Sequence, residues 1–180
     1  MPSYLSALLA VAIVLLAACS SLPERDRTKS VLVLPLVSAN ESFSGWGGRY
    51  ELELTEYSLS MNDWQKLAEP IIVDLNADSY QLITSIPPGR YIITGITRQV
   101  DPHLRSTGER QSSFVTSTPF VLRKGEVTVL GQELFISQSQ KSAVIYAEFA
   151  FRPLRPYRLQ EIEDSLELRQ QNDWDYEPAH

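Results

Sequence analysis

Residues 31–37, Val-Leu-Val-Leu-Pro-Leu-Val, form an apolar run broken only by Pro35. A run of this length suits a strand, and the proline marks an edge or a bulge because it has no N–H to give to a ladder. Ser38–Gly48 is rich in serine and glycine and reads as a loop. Tyr50, Leu52 and Leu54 then alternate with Glu51, Glu53 and Thr55, and the apolar phase slips by one to Tyr57, Leu59 and Met61. Such a slip inside a strand is what a β-bulge produces. Ile71–Leu75 and Tyr80–Ile86 predict two more strands, joined as a hairpin by a short turn at Asn76-Ala77-Asp78-Ser79. In Ile86-Pro87-Pro88-Gly89-Arg90-Tyr91, Pro88 presets φ at the second turn position and Gly89 supplies a positive φ at the third. That predicts a type II turn between flanking strands. Asp101–Ser112 reads as a loop. Phe114–Leu122, Glu126–Ile136 and Ser142–Phe151 complete the strands, with Pro119 a second edge signal and Lys124-Gly125 a turn. The last strand carries apolar residues on both faces, which suits a central position. Seven or eight short strands with turn signals between them predict an all-β chain, an antiparallel β-sandwich.

From Pro156 the period changes. Leu159, Ile162, Leu166 and Arg169 fall three or four apart, a narrow helical stripe. Proline suits a first helical position, and Asn172 is the expected end. About 15 residues of helix are marginal alone in water, so the stripe is expected to dock on the sandwich or on a partner.

The amino end is of another kind. Residues 1–18 carry no charged side chain, and Leu5–Ala18 is an apolar run of 14 residues interrupted only by Ser6. That is short for a membrane-spanning helix, which needs about 20 residues, and suits the apolar core of a secretory signal. The run ends Leu16-Ala17-Ala18-Cys19-Ser20, which resembles the lipobox of bacterial lipoproteins. The resemblance implies cleavage between Ala18 and Cys19, a thioether-linked diacylglycerol on Cys19, and acylation of the new amino group. A lone cysteine leaves no competing thiol for that chemistry. The resemblance further implies, from Ser20, retention in the outer membrane of a Gram-negative bacterium, facing the periplasm. The usual basic residue near the amino terminus is missing.

A second resemblance covers about Val31–Phe151. The strand-turn-strand run through Pro87-Pro88-Gly89-Arg90-Tyr91, followed by Lys124-Gly125-Glu126-Val127-Thr128-Val129-Leu130-Gly131, is similar to prealbumin-like domains of bacterial cell-envelope proteins. These are also described as carboxypeptidase-regulatory-like, and they share an Ig-like sandwich architecture. The resemblance implies a structural or binding module without a catalytic group. The chain thus divides into a lipoprotein signal peptide (1–18), a tether (19–29), a β-sandwich domain (30–152) and an acidic C-terminal helix and tail (153–180).

Charge sharpens the last boundary. Of the chain's 180 residues, 22 are acidic and 16 basic, for a formal net charge of −6. Residues 1–158 balance, so the whole excess lies in 159–180, where seven acids face only Arg169. Just upstream stand Arg152, Arg155 and Arg158. The acids read as a solvated helix face with a frayed end, or as a tail that docks on a basic partner or on its own arginine cluster. On the tail reading, Leu159, Ile162, Leu166 and Trp174 are the candidate partner-binding residues. An acidic balance argues against a nucleic-acid binder.

Chemistry is sparse. One cysteine excludes an internal disulfide framework and cysteine-rich zinc sites, and two histidines leave little for catalysis. Asp74-Leu75-Asn76-Ala77-Asp78 opens like a calcium loop, but Ser79 and Ser85 replace the glycine and the bidentate glutamate such a loop requires. Gly45-Trp46-Gly47-Gly48 lacks the lysine of a phosphate-cradling loop. Asp101-Pro102-His103 has no nucleophile motif beside it, and Glu51, Glu53 and Glu56 read as a solvent face rather than as paired catalytic carboxylates. No enzymatic activity, cofactor or metal is expected. Trp46, with Tyr50 nearby, is the candidate contact for a small ligand or glycan. The leading expectation is a lipid-anchored, non-catalytic interaction module with another cell-envelope protein as partner.

Overall fold

The computed structural model describes residues 22–41, 48–60, 63–75, 79–100, 111–142, 144–169 and 174–177. The β-branched and aromatic runs form β1 (Ser30–Glu41), β2 (Gly48–Ser60), β3 (Asp63–Lys66), β4 (Ile71–Leu75), β5 (Tyr80–Ile86) and β6 (Gly89–Val100). They continue with β7 (Gln111–Leu122), β8 (Glu126–Val129), β9 (Gln132–Lys141) and β10 (Val144–Pro153). Helix α1 (Pro156–Ser165) and the short β11 (Asp175–Glu177) close the described chain. Cys19, Ala18 and Trp46 lie outside the described residues.

The strands form two sheets. One runs β10-β9-β1-β8-β11, with β5 also paired to β1; the other runs β3-β2-β6-β7, with β4 also paired to β2. They face each other across a core of Leu32, Leu34, Leu52, Leu54, Ile93, Ile96 and Leu134, all unexposed, together with their neighbours. The fold is therefore all-β and sandwich-like, but it is not antiparallel throughout. β1 pairs β5 antiparallel and both β8 and β9 parallel, and β11 pairs β8 parallel.

β1 is buried on both faces along residues 30–36. Leu32, Leu34 and Leu36 of β1 point into the first core. Val31 and Val33 point the other way, into a second core with Val127, Val129, Ile162, Leu166, Leu168 and Trp174. This is why β1 reads as a continuous apolar run, since a strand covered on both faces has no position for a polar side chain. Pro35 marks neither an edge nor a bulge, since the register shift of β1 against β5 lies between Ser30 and Leu32. It sits where the parallel partner of β1 changes, after Val33↔Val129 and before Leu36↔Leu134. Two residues, Leu130 and Gly131, separate β8 from β9 there and divide the single strand expected over 126–136.

Other expectations change for topological reasons. β4 and β5 join different sheets, so no hairpin links them, and β5 and β6 also separate. Pro87-Pro88 is thus a crossing between sheets. Gly89 opens β6 without a positive φ; among the described glycines only Gly125 has one, at +72°. A Cβ at Gly89 would lie 2.7 Å from Glu56 Oε1, the free end of a flexible side chain, and 3.2 Å from the Tyr91 ring, so both would have to shift slightly. The bulge expected in β2 is not found there: the register between β2 and β6 shifts at Glu53/Leu54, and the extra residue is Thr94 of β6, since Glu53 pairs Gly95 and Leu54 pairs Ile93. β10 ends its sheet and is not central. β7, which contains Pro119, ends the other sheet as expected.

Helix α1 opens with Pro156 at its first turn, and its ten residues make it shorter than expected. It closes in a Schellman arrangement. The Leu168 N–H donates to Glu163 O at 2.9 Å and the Glu167 N–H to Asp164 O at 3.3 Å, with Glu167 at φ 52°. Ten residues do not hold a helix in water. Burial of Ile162, Leu166 and Leu168 in the second core supplies the missing stabilisation, at about 1.5–3 kcal/mol per side chain.

Candidate functional site

Tyr50 is in the core. Its ring is 5% exposed and meets Phe149 edge-on at 5.6 Å, and its hydroxyl donates to Gln138 Oε1 at 2.8 Å. Burial raises its pKa above the ordinary tyrosine value, and the charge of Arg98 and a hydrogen bond from it pull the other way. A side chain so placed does not present itself to a ligand in solvent. The acidic stripe of β2 is engaged with its neighbours: Glu51 accepts from Gln99 at 2.7 Å and Glu53 from Thr94 at 2.6 Å. Among the described residues, no three His, Cys, Asp or Glu side chains group closely enough to hold a metal ion.

The candidate tail residues pack on their own chain. Ile162 is 1% exposed, Leu166 4% and Trp174 7%, with Leu159 packed against them. Of the two expected outcomes the stripe takes the first, docking on the sandwich. Of the described helix acids, Glu161, Asp164 and Glu167 form the expected solvated face, and Glu163 departs from it. Glu163 is 1% exposed and accepts from the Tyr176 hydroxyl at 2.6 Å, while Arg169 reaches it from solvent at 2.6 Å. Burial, then the hydrogen bond to Glu163, pushes the Tyr176 pKa well above its ordinary value. Tyr80 Oη lies 2.9 Å from Ser165 Oγ and ties the helix to β5.

The arginine cluster does not receive the distal acids. Arg152 stacks over the Phe135 ring at 3.6 Å. Arg158 donates to the carbonyls of Leu36 and Ser79 at 3.2 and 3.1 Å and pairs Glu161 at 2.8 Å. The distal tail pairs elsewhere, Asp175 with Arg25 and Glu177 with Arg123. Trp174 Nε1 donates to the Pro23 carbonyl at 2.8 Å. Residues 22–29, expected as a free tether, are thereby bound to the fold. Leu22 packs on the second core, and the Lys29 carbonyl accepts from the Gly125 N–H at 2.7 Å.

Among the described residues, one sheet edge that stays open follows β7. No described strand pairs its outer side, and β10 ends the facing sheet nearby. Between them lies a cleft of about 430 Å³ lined by Ser113, Phe114, Ala147, Glu148 and Phe149. Phe114 stands 5.9 Å from Phe149, and Val115 next to it is 84% exposed. Further along β7, Pro119, Val121 and Arg123 face Glu126 and Leu130 across a second cleft of about 310 Å³. The sequence marked this strand only through Pro119. Which edges stay open depends on strand order, and local pattern does not encode that. No protein-family model, curated protein or solved structure matches the chain.

Proposed function

We propose that this protein is an outer-membrane lipoprotein, anchored through Cys19 after removal of residues 1–18, whose periplasmic domain is a non-catalytic interaction module of the cell envelope. The Leu16-Ala17-Ala18-Cys19 resemblance to a lipobox supports the anchor. A prealbumin-like architecture fits the sandwich-like arrangement of the two sheets. One observation carries the interaction reading: β7 leaves a long sheet edge unpaired beside an apolar cleft and an exposed Val115. An open edge offers backbone groups to a partner strand, and the neighbouring clefts receive alternate side chains. Pro119 breaks the run of donors and confines strand addition to the Phe114 side.

The partner is then another envelope protein that contributes an extended segment. Photo-cross-linkers placed at Ser113, Val115 and Ser117 in cells test this. Capture of one partner from these positions, lost on Val115→Pro, is the expected result. Capture from exposed Tyr157 of α1 but not from β7 would refute it. Binding of a small ligand or glycan moves from Tyr50, which is buried, to the Phe114–Phe149 cleft. In that reading cell-wall fragments perturb the Phe114 resonances and displace no protein.

A further inference from the structure

The amino-terminal segment and the carboxy-terminal tail hold each other at one end of the first sheet. Trp174 donates to Pro23, Asp175 pairs Arg25, and the Asp175 N–H donates to Gly125 O at 3.3 Å. Gly125 in turn donates to Lys29. Within the segment, Asp26 Oδ1 accepts from the Thr28 N–H at 2.8 Å and from its hydroxyl at 2.6 Å. Leu22 is therefore a fixed point on the fold, three positions from Cys19.

We infer that the C-terminal tail is a lock that shortens the lipid leash, pressing this end of the domain against the bilayer surface; the inference rests on lipidation of Cys19. Chain length decides the reach. Three residues span at most about 10 Å, whereas the eleven from Cys19 to β1 would reach about 40 Å if the segment were released. Attraction to headgroups does not produce the proximity, because Glu24, Arg25, Asp26 and Arg27 alternate in sign and form no polybasic segment. Leash length does, and the tail sets it. The surface that meets the lipid is the end carrying Leu22–Lys29, the Gly125 turn and β11, with Arg27 and Lys124 exposed there.

The test uses the full lipidated chain on a supported bilayer, with the water gap beneath the protein layer read by neutron reflectometry. The wild-type gap is expected within about 10 Å. An eight-residue Gly/Ser insertion between Ser21 and Leu22 leaves the lock intact and should widen the gap to about 18 Å. Ending the chain at Arg169 should widen it similarly, and should cost the Thr28, Lys29 and Gly125 amides at least tenfold in exchange protection. Trp174→Phe keeps an aromatic ring in the second core and removes the donor to Pro23; it gives an intermediate loss of protection where the truncated chain does not fold. A wild-type gap as wide as that of the insertion variant overturns the inference. So does unchanged protection in both tail variants. A chain lacking acyl mass on Cys19 overturns the anchor, and the leash with it, while the exchange data still report on the lock.

Discussion

Replacing Tyr176 by Phe tests the energetic centre of the tail. The hydroxyl lost is the donor, at 2.6 Å, to a Glu163 carboxylate that is only 1% exposed. Hydrogen bonds to charged groups contribute about 1.5–3 kcal/mol, and a buried acceptor stripped of its donor loses the full benefit. Arg169 compensates little, because its side chain is 68% exposed and its pairing is screened by solvent. The expected cost is therefore about 2 kcal/mol, or roughly 4–8 °C in Tm for a chain of this size. Guanidinium unfolding of the purified domain measures it as a lower midpoint at unchanged slope. The double variant Glu163→Leu/Tyr176→Phe removes the buried charge together with its donor. It should recover most of the loss, because apolar replacement of a buried polar pair is often neutral or better. A cost below about 0.5 kcal/mol for Tyr176→Phe, or a double variant weaker than either single one, would refute the reasoning.

Three further outcomes follow from the same packing. Ile162→Ala, at a position 1% exposed, should cost about 2–5 kcal/mol and remove the helical signal in circular dichroism, because α1 does not stand alone. Gly125→Ala places a Cβ at φ +72° and 3.4 Å from the Arg25 guanidinium; a loss of about 1–2 kcal/mol is expected from left-handed backbone alone, and an unchanged midpoint would count against that turn. Stability should also fall in alkali. Burial is the leading cause of raised pKa values at Tyr50, Tyr91 and Tyr176, with Tyr91 pushed up to about 12. Their contribution is complete below pH 10, the unfolded value, and is lost as pH rises toward the folded ones, at about 1.4 kcal/mol per pH unit for each tyrosine. Denaturation midpoints that stay flat from pH 10 to 12, or a slope that Tyr91→Phe leaves unchanged, would contradict this.

Local chemistry was legible where it answered local constraints. The apolar runs located most of the strands, Pro156 opened the helix, and Lys124-Gly125 formed a turn with the positive φ that glycine permits. Alternation even carried the burial of Tyr50, which shares a face with Leu52 and Leu54, although its hydroxyl and nearby Trp46 suggested a ligand. Partner choice was not legible. A sequence signal such as Asn76-Ala77-Asp78-Ser79 does not distinguish a hairpin from a link between sheets, so β4 and β5 could not be assigned to separate sheets. Parallel pairing of β1 with β8 and β9 joins segments about 96 residues apart and leaves no local mark. Glu163 shows the same limit. On a helical wheel it is one acid among several, and only the return of Tyr176 from the far side of the tail makes its burial tolerable. The open edge of β7 and the lock on residues 22–29 are likewise products of assembly.

The central claim is an anchored module, and the intact mass of the protein purified from membranes tests it most directly. The expected result is a chain beginning at Cys19 with diacylglyceryl and acyl mass on that residue, both absent from Cys19→Ala. An unlipidated chain, whether it retains residues 1–18 or is cut elsewhere, would contradict it.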